Sequence, residues 1–367
     1  MRIAVLWTHL SGYLNACLKE LARREGVELF VSHQLPEEAA PFNSDQFSWI
    51  PAPFNDDQFS WIPKSLRWRS RSDLISLDAQ LGAFDPEILV VCGWPVPEYR
   101  SVARKLANQC WRVMTMDNSW RATLKQRMGT LIAPWYIQPL ADAVWIPGER
   151  QAVFARRLGF QERNILWGML SCDQPSFETV YFKRLADGRP VPRSFLFVGR
   201  FVAEKNLDLL VNAYQAYRER SNDPWPLVCC GAGPFANLLE DRPGIRVEGF
   251  VQPDDLPDKL ASAGCLVMSS SFEQWALAVH EAAAAGLLIL ATEKVGATVH
   301  LVQDNYNGFI FGSRDVKGLA ERLSHVSNLS DARLEAMSQA SHSLSKQFSP
   351  ARWADTLLES FQTISMP

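Results

Sequence analysis

Short apolar runs separated by helical segments are the feature of this 367-residue chain that most restricts its fold. Strands buried on both faces of a parallel sheet read as continuous apolar runs, whereas half-exposed strands alternate apolar and polar residues. The pattern therefore predicts parallel sheets covered by helices on both faces. The predicted strands of the first half are Arg2–Trp7, Glu28–Ser32, Glu87–Cys92, Arg112–Met116 and Ala143–Ile146. Those of the second half are Phe195–Val198, Leu227–Cys230, Ile245–Glu248, Cys265–Met268 and Leu288–Thr292.

Two such series predict two doubly wound α/β domains, and the chain is long enough for two cores. The segment Ala186–Ser194 is rich in Gly, Pro and charge, so we place the linker there. This choice predicts an N-terminal domain over residues 1–188 and a C-terminal domain over 194–348. A last helix is predicted within 349–367, because Ser349 and Pro350 are typical of a helix start.

Composition excludes several classes of function. A formal net charge of −3 gives no electrostatic case for nucleic acid as a partner. No run approaches the 18 to 20 apolar residues of a membrane span, and the N-terminus has no small-residue cleavage site. The seven cysteines show no CxxC spacing and lie mostly in apolar segments. They predict reduced core residues in a cytoplasmic protein.

A tandem repeat interrupts the first half: PFNSDQFSWIPA (Pro41–Ala52) is followed by PFNDDQFSWIP (Pro53–Pro63). The unit is far too short for a solenoid repeat. We favour a duplication that lengthened a surface loop, which costs little closure entropy. The alternative is an aromatic loop that contacts an acceptor or a membrane surface through Phe47, Trp49, Phe59 and Trp61.

Two cations follow the predicted strand Phe195–Val198. The strand ends at Gly199, and the next loop contains Arg200 and Lys205 before a helical pattern begins. Cations at the carboxyl end of a strand, beside a helix N-terminus, form a natural site for phosphate oxygens. On local evidence alone, ordinary solvated loop residues are an equally good interpretation.

The stretch SSSFEQWALAVHEAAAAG (Ser269–Gly286) places Glu273 and Glu281 eight positions apart. Periodicity leaves two interpretations open: a helix with two solvated acids, or a pair that holds a ligand. Because the serines end an apolar strand, we expect Glu273 in the strand-to-helix loop and Glu281 on the helix.

The order of these landmarks is more specific than any one of them. Strand–GR–x4–K–helix, strand–GAGP, strand–GF, S–x3–E–x7–E–x4–G, then VG and NG resembles the C-terminal domain of the retaining GT-B glycosyltransferases of family 4, also called group 1. The resemblance runs from Phe195 to Phe311. It implies two Rossmann-like domains that face each other across a cleft, with the nucleotide-sugar donor mainly on the C-terminal one. It also makes the last helix a candidate for crossing back to the N-terminal domain.

The resemblance implies roles for the charged residues. Arg200 and Lys205 would neutralise the donor diphosphate, Glu273 would orient a sugar hydroxyl beside the reacting centre, and Glu281 would accept hydrogen bonds from the ribose hydroxyls. The remaining donor-binding residues would be Gly12, Gly199, Gln274, Trp275, Ala276 and Leu277.

The N-terminal half carries two further candidates. Asp117 lies where the family commonly has a catalytic-site histidine and could act towards the donor sugar or acceptor; equally, it could end a strand and cap the next turn. His9, near Gly12, is a candidate contact for the acceptor.

Two departures from the family pattern matter. The usual Gly-Phe-Gly-Leu after the first glutamate is replaced by residues 274–277, without either glycine, and Gly-Gly-x-x-Glu is replaced by residues 296–300. Losing the glycines narrows the space expected beside the sugar.

The expected function is that of a retaining hexosyltransferase acting from a nucleoside-diphosphate sugar onto a glycan, lipid or small-molecule acceptor. The resemblance implies that no cofactor or divalent metal is needed, and the sequence has no Asp-x-Asp motif that would hold a metal. The protein is expected in the cytoplasm, where it could contact the inner face of the membrane.

The alternative is a catalytically weakened partner subunit that binds nucleotide sugars or glycans. A nucleotide-sugar epimerase is disfavoured by the ordered landmarks, and a dinucleotide oxidoreductase by the lack of a strand followed by GxGxxG.

Overall fold

The computed structural model describes residues 1–35 and 59–365. Within these ranges the chain forms two compact units. The first unit contains residues 1–35, 59–171 and 350–365, and the second contains residues 172–349. The first copy of the duplicated segment and most of the second, with Phe47 and Trp49, lie outside the described residues.

The first unit is built on a seven-stranded sheet in which every strand pairs in parallel. Its strands are β1 (Arg2–Leu6), β2 (Glu28–Gln34), β3 (Lys64–Trp68), β4 (Ile88–Val91), β5 (Trp111–Thr115), β6 (Ala143–Ile146) and β7 (Ile165–Trp167), in the order β3-β2-β1-β4-β5-β6-β7. Its helices are α1 (Gly12–Ala22), α2 (Leu77–Phe84), α3 (Pro97–Lys105), α4 (Leu124–Tyr136) and α5 (Glu149–Arg157).

The second unit has a six-stranded parallel sheet. Its strands are β8 (Phe195–Val198), β9 (Leu227–Cys230), β10 (Ile245–Gly249), β11 (Cys265–Met268), β12 (Leu288–Thr292) and β13 (Gly308–Phe311), in the order β10-β9-β8-β11-β12-β13. Its helices are α6 (Gln174–Ala186), α7 (Leu207–Arg218), α8 (Leu256–Ala261), α9 (Leu277–Ala284), α10 (Thr298–Leu301), α11 (Val316–Ser327) and α12 (Asp331–Ser345).

Both sheets confirm the predicted fold class of two Rossmann-like α/β domains. The central strands are buried along their whole length, as in β4, β6, β9, β11 and β12. In each sheet the strand order reverses beside the first strand, at β1/β4 and at β8/β11. The carboxyl ends of strands at such a reversal are where open α/β sheets bind ligands.

The final helix, α13 (Pro350–Ser365), belongs to the first unit, as the expected return to the N-terminal domain requires. The Trp353 ring packs on the Trp145 ring at 4.5 Å between centroids. The Trp353 indole N–H donates to the carbonyl of Met169 at 2.9 Å.

The boundary between the units lies at Ser171/Cys172, earlier than the predicted linker. Helix α6, which the predicted boundary places in the N-terminal domain, packs inside the second unit. Its Tyr181 ring stacks on His342 at 4.1 Å, and its Arg184 forms an ion pair with Glu335 at 2.6 Å. An amphipathic helix before a polar linker carries no local signal of which sheet will bury it.

Two aromatic residues of the second repeat copy lie within the described residues, and both side chains pack in the first unit. Phe59 is 3% exposed, and the Trp61 indole N–H donates to Asn15 Oδ1 at 2.8 Å. These two side chains therefore do not form the exposed aromatic surface considered above. None of the seven cysteines forms a disulfide, and five of them are buried, in agreement with the predicted core role. Among the described residues, no helix has the length and apolar character to cross a membrane.

Candidate functional site

The loops after β8 and β9 pack so closely that glycine is required between them. A Cβ atom on Gly231 would lie 1.9 Å from the carbonyl oxygen of Gly199, and one on Gly233 would lie 2.3 Å from that of Phe201. The glycines of the GAGP motif are thus needed for backbone packing. They bring the loop that carries Arg200 and Lys205 against the carboxyl end of β9.

Arg200 and Lys205 occupy different environments. The Arg200 side chain is exposed and lines a cavity of about 200 Å³ at the carboxyl ends of β8, β9 and β10, together with Gly199, Gly231 and Phe250. The Lys205 side chain is 13% exposed and forms an ion pair with Glu273, whose side chain is 18% exposed. From the sequence we expected both cations to face a ligand. The sequence did not reveal that Lys205 is already paired with the carboxylate of Glu273.

Glu273 lies in the loop between β11 and α9, as expected, and is fixed from several sides. Its carboxylate accepts a hydrogen bond from the Ser270 hydroxyl at 3.0 Å as well as from Lys205. Its backbone N–H donates to the carbonyl of Lys294 at 3.2 Å, and its carbonyl accepts from the N–H of Gly296 at 3.2 Å. The loop after β12 therefore positions the carboxylate, and Ser270 is a site residue that sequence reasoning missed.

The turn of residues 274–276 keeps a backbone shape that normally calls for glycine. Ala276 has φ +83° and ψ +86°, in the left-handed region that residues with a Cβ atom rarely adopt. The Trp275 side chain is 2% exposed and packs against the rings of Phe348 and His300. The indole thus points into the core, so the substitution of Trp at this position does not itself narrow the space beside the turn.

Glu281 lies on α9 and is the least satisfied charged group of the candidate site. Its surface is partly exposed, yet protein atoms crowd the carboxyl, and desolvation raises its pKa to about 7. The carboxylate forms no hydrogen bond or ion pair with any residue in the described ranges 1–35 and 59–365. A desolvated carboxylate without donors is costly, so a ligand that brings hydroxyl donors would find a ready acceptor.

The candidates of the first unit gather at the carboxyl edge of its sheet. His9 follows β1, Gly12 begins α1, and Asp117 follows β5. Burial raises the pKa of the Tyr13 hydroxyl, and the nearby charge of Asp117 adds to this rise, so Asp117 lies close to the start of α1.

Both titratable candidates are open to solvent on one side but crowded by protein on the other. Desolvation raises the pKa of the Asp117 carboxyl and lowers that of the His9 imidazole. The next helix, α4, is capped by Thr123, which accepts from the backbone N–H of Gln126, and not by Asp117. The ligand roles of His9, Gly12 and Asp117 stay predictions.

Within the part of the chain that the structure describes, no group of three or more His, Cys, Asp or Glu side chains could hold a metal ion. The expectation that no metal takes part stays a prediction.

The landmarks of the second unit match a known family. Residues 188–343 match the family model "Glycosyl transferases group 1". The matched segment contains Arg200, Lys205, Glu273 and Glu281, and it spans 156 (343 − 188 + 1) of the 367 residues.

Two curated relatives match part of the chain. The chain is 30% identical over 138 residues to the uncharacterized glycosyltransferase MJ1607 of Methanocaldococcus jannaschii, which is 36% of this chain and 35% of that protein. It is 30% identical over 147 residues to the sulfoquinovosyl transferase SQD2 of Arabidopsis thaliana, which is 38% of this chain and 28% of that protein. The chain thus spans about a third of the length of these relatives.

A structural likeness extends over the whole chain. The crystal structure of Anabaena HepE in complex with UDP superposes with a TM-score of 0.70 at 13% identity, covering 99% of this chain and 100% of that one. At this identity the likeness establishes the fold, which is that of the GT-B glycosyltransferases.

Proposed function

We propose that the protein is a retaining glycosyltransferase of family 4 that moves a hexose from a nucleoside-diphosphate sugar to a glycan, lipid or small-molecule acceptor. The match of residues 188–343 to the group 1 model supports the reaction class. The observation that carries the proposal is the desolvated carboxylate of Glu281, which has no partner among the described residues. It lies close in sequence to a second carboxylate, Glu273, that Lys205 holds.

The nucleoside part of the donor would bind at the carboxyl ends of β8 to β11. Its ribose hydroxyls would donate to Glu281 and replace the hydration that burial removes. The cavity of about 200 Å³ beside Arg200, walled mainly by apolar groups and glycines, suits the flat base.

The diphosphate would lie between Arg200 and Lys205. Arg200 offers a planar fork of donors, and the Lys205 ammonium has three, so it can keep Glu273 and still donate to a phosphate oxygen. Negative charge grows on the diphosphate as the glycosidic bond breaks. Preorganised cations at such a position contribute a few kcal/mol each to transition-state stabilisation.

Transfer with retention would proceed without a covalent intermediate. The acceptor oxygen would form its bond to the anomeric carbon on the face from which the diphosphate leaves. The departing phosphate oxygen would take the acceptor proton. Glu273 would then serve to orient a hydroxyl of the donor sugar and not to form a glycosyl-enzyme bond.

The alternative, a partner subunit that binds nucleotide sugars without turnover, is motivated by the loss of two glycines beside Glu273. The left-handed backbone of Ala276 supports the active enzyme instead, because the turn shape is kept without glycine.

The proposal is tested by following thermal unfolding of the whole chain and nucleotide release with UDP-, GDP- and ADP-sugars. We expect one nucleotide series to stabilise the protein and to be hydrolysed slowly. Lys205→Met should lower turnover about 100-fold or more. Glu281→Gln should mainly weaken nucleotide binding. Lys317→Met, at an exposed position on α11, is the matched control and should change neither.

The outcomes distinguish an active glycosyltransferase from a subunit that only binds nucleotide sugars. Stabilisation without turnover would favour the binding subunit, and no stabilisation by any nucleotide would contradict both. Turnover should be unchanged in EDTA, since we propose no metal. An NMR spectrum of the product should show the donor's anomeric configuration; inversion would contradict the family 4 mechanism.

A further inference from the structure

Helix α4 of the first unit exposes a row of large apolar side chains. Leu124, Met128, Leu131, Ile132 and Trp135 are between 53% and 79% exposed, and Ala133 is the helix's one buried residue. A surface helix normally turns its apolar side chains towards the core. A contiguous exposed patch of this kind usually marks an interaction surface.

The exposed side chains form a single stripe. At about 100° per residue, the five positions fall within an arc of about 100° around the helix axis. Lys125 lies just beyond one edge of this arc and Arg127 beyond the other, whereas the buried Ala133 lies on the far side. The helix is therefore amphipathic, with its apolar face turned outward and a cation along each margin.

The segment around α4 carries only positive charge. Residues 118–141 contain Arg121, Lys125 and Arg127 but no Asp or Glu, which gives a net charge of +3. The whole chain carries −3, so the remainder carries −6 (−3 − 3). A local cationic zone thus coincides with the apolar stripe.

The stripe is held in place at both ends of the helix. The Gln126 side-chain amide donates to the carbonyl of Ser119 at 2.8 Å and accepts from the backbone N–H of Arg121 at 2.7 Å. At the other end, the Arg100 guanidinium donates to the Tyr136 hydroxyl and to the carbonyl of Trp94. The helix therefore presents the stripe as a fixed surface.

We propose that α4 binds the surface of an anionic phospholipid bilayer. The stripe would enter the boundary between headgroups and acyl chains, with Trp135 at the level that indole rings prefer. Arg121, Lys125 and Arg127 would contact anionic headgroups, with their alkyl stems along the apolar surface. A second copy of the chain fits the stripe less well, because it would bring three cations against three cations with no acid in either segment.

The test is flotation of the whole protein with vesicles of phosphatidylcholine alone and with about 30% phosphatidylglycerol. We expect binding to the anionic vesicles, weak binding to the neutral ones, and weaker binding as salt rises. Leu131→Ser/Trp135→Ser should lower partitioning at least about tenfold. Lys125→Gln/Arg127→Gln should lower it about 25-fold, since each cation near an anionic surface contributes about fivefold.

Ile75→Ser is the matched control, because Ile75 is 84% exposed in the same unit but lies outside the cationic segment. It should bind as the unsubstituted protein does. All changed side chains are exposed, so the melting temperature should stay the same. Donor hydrolysis should also persist, which separates this proposal from the proposed function.

Failure of the unsubstituted protein to bind anionic vesicles would overturn the proposal, as would equal binding of the Leu131→Ser/Trp135→Ser variant. Concentration-dependent self-association that this variant abolishes in sedimentation velocity would assign the stripe to a protein interface instead.

Discussion

Ala276 carries a local strain that a single substitution can relieve. A left-handed conformation costs a residue with a Cβ atom about 1–2 kcal/mol, whereas glycine adds about 0.4–1 kcal/mol of unfolded-state entropy. Ala276→Gly should therefore raise the free energy of unfolding of the second unit by about 0.5–1 kcal/mol. The change should be visible as a higher denaturant midpoint in urea titrations.

The matched control is Ala278→Gly, within the right-handed backbone of α9. Glycine there should lower stability by about 0.5–1 kcal/mol. If the two variants lose stability alike, the left-handed assignment of Ala276 is wrong.

Glu281 should make stability depend on pH. Its pKa in the folded chain is about 7, above the ordinary value of 4.5. Between these values the folded chain holds a proton that the unfolded chain has released, so stability falls as pH rises from 4.5 to 7 and then levels off. Above pH 7 the penalty is at most about 3 kcal/mol.

Glu281→Gln removes this penalty. We expect the variant to be more stable than the unsubstituted protein at pH 8 and nearly equal to it at pH 4.5, in urea titrations without ligand. Glu240→Gln, at an exposed position of the second unit, should show no such pH dependence. A difference of the same size at both pH values would contradict the desolvated carboxylate.

At the residue scale, the sequence allowed positions to be predicted but not contacts. The strand-end location of Arg200 and Lys205 and the loop location of Glu273 follow from local patterns. The Lys205–Glu273 ion pair joins residues 68 positions apart, and no local pattern contains it. That Glu281 has no partner among the residues the structure describes likewise depends on the packing of the whole unit.

At the element scale, Trp353 on α13 should control the stability of the first unit. The side chain is 1% exposed and packs on Trp145 of β6. Trp353→Ala should lower stability by about 3–5 kcal/mol, through lost burial and the cavity that remains. In hydrogen exchange, protection should fall in β6, β7 and α1, with little change over residues 172–349.

Thr363→Ala, at an exposed position of the same helix, is the control and should change stability by less than about 0.5 kcal/mol. Equal loss of protection in both units would contradict the assignment of α13 to the first unit.

Burial explains why some strands were predicted from the sequence and one edge strand was not. Strands β9, β11 and β12 have the predicted bounds, because both faces are buried and the run is continuously apolar. Strand β3 was missed because it lies at a sheet edge, where the exposed Lys64 and Arg67 interrupt the pattern. Strand β13 was missed because it begins at Gly308, which reads as part of a turn.

At the scale of the whole molecule, the chain has separate cores, with Phe195 and Leu290 in one and Ile3 and Trp145 in another. The number of domains was predictable, since two series of strands need two sheets. The boundary was not, because α6 precedes the polar linker and yet packs with the second unit.

Because the two units have separate cores, we can predict which of them a bound nucleotide will stabilise. If the donor binds mainly to the second unit, a nucleoside diphosphate at about 100 times its Kd stabilises that unit by about 2.7 kcal/mol. We therefore expect the slowest-exchanging amides of residues 172–349 to slow by about 100-fold, with the largest changes at the loops after β8 and β11. Amides of β1, β4 and β5 should change far less.

The measurement is hydrogen exchange of the whole chain with and without UDP, GDP or ADP, and Glu281→Gln should abolish the effect. If protection from exchange increased only in the first unit, the nucleotide would bind to that unit's sheet, and the proposed donor site at Glu281 would be refuted.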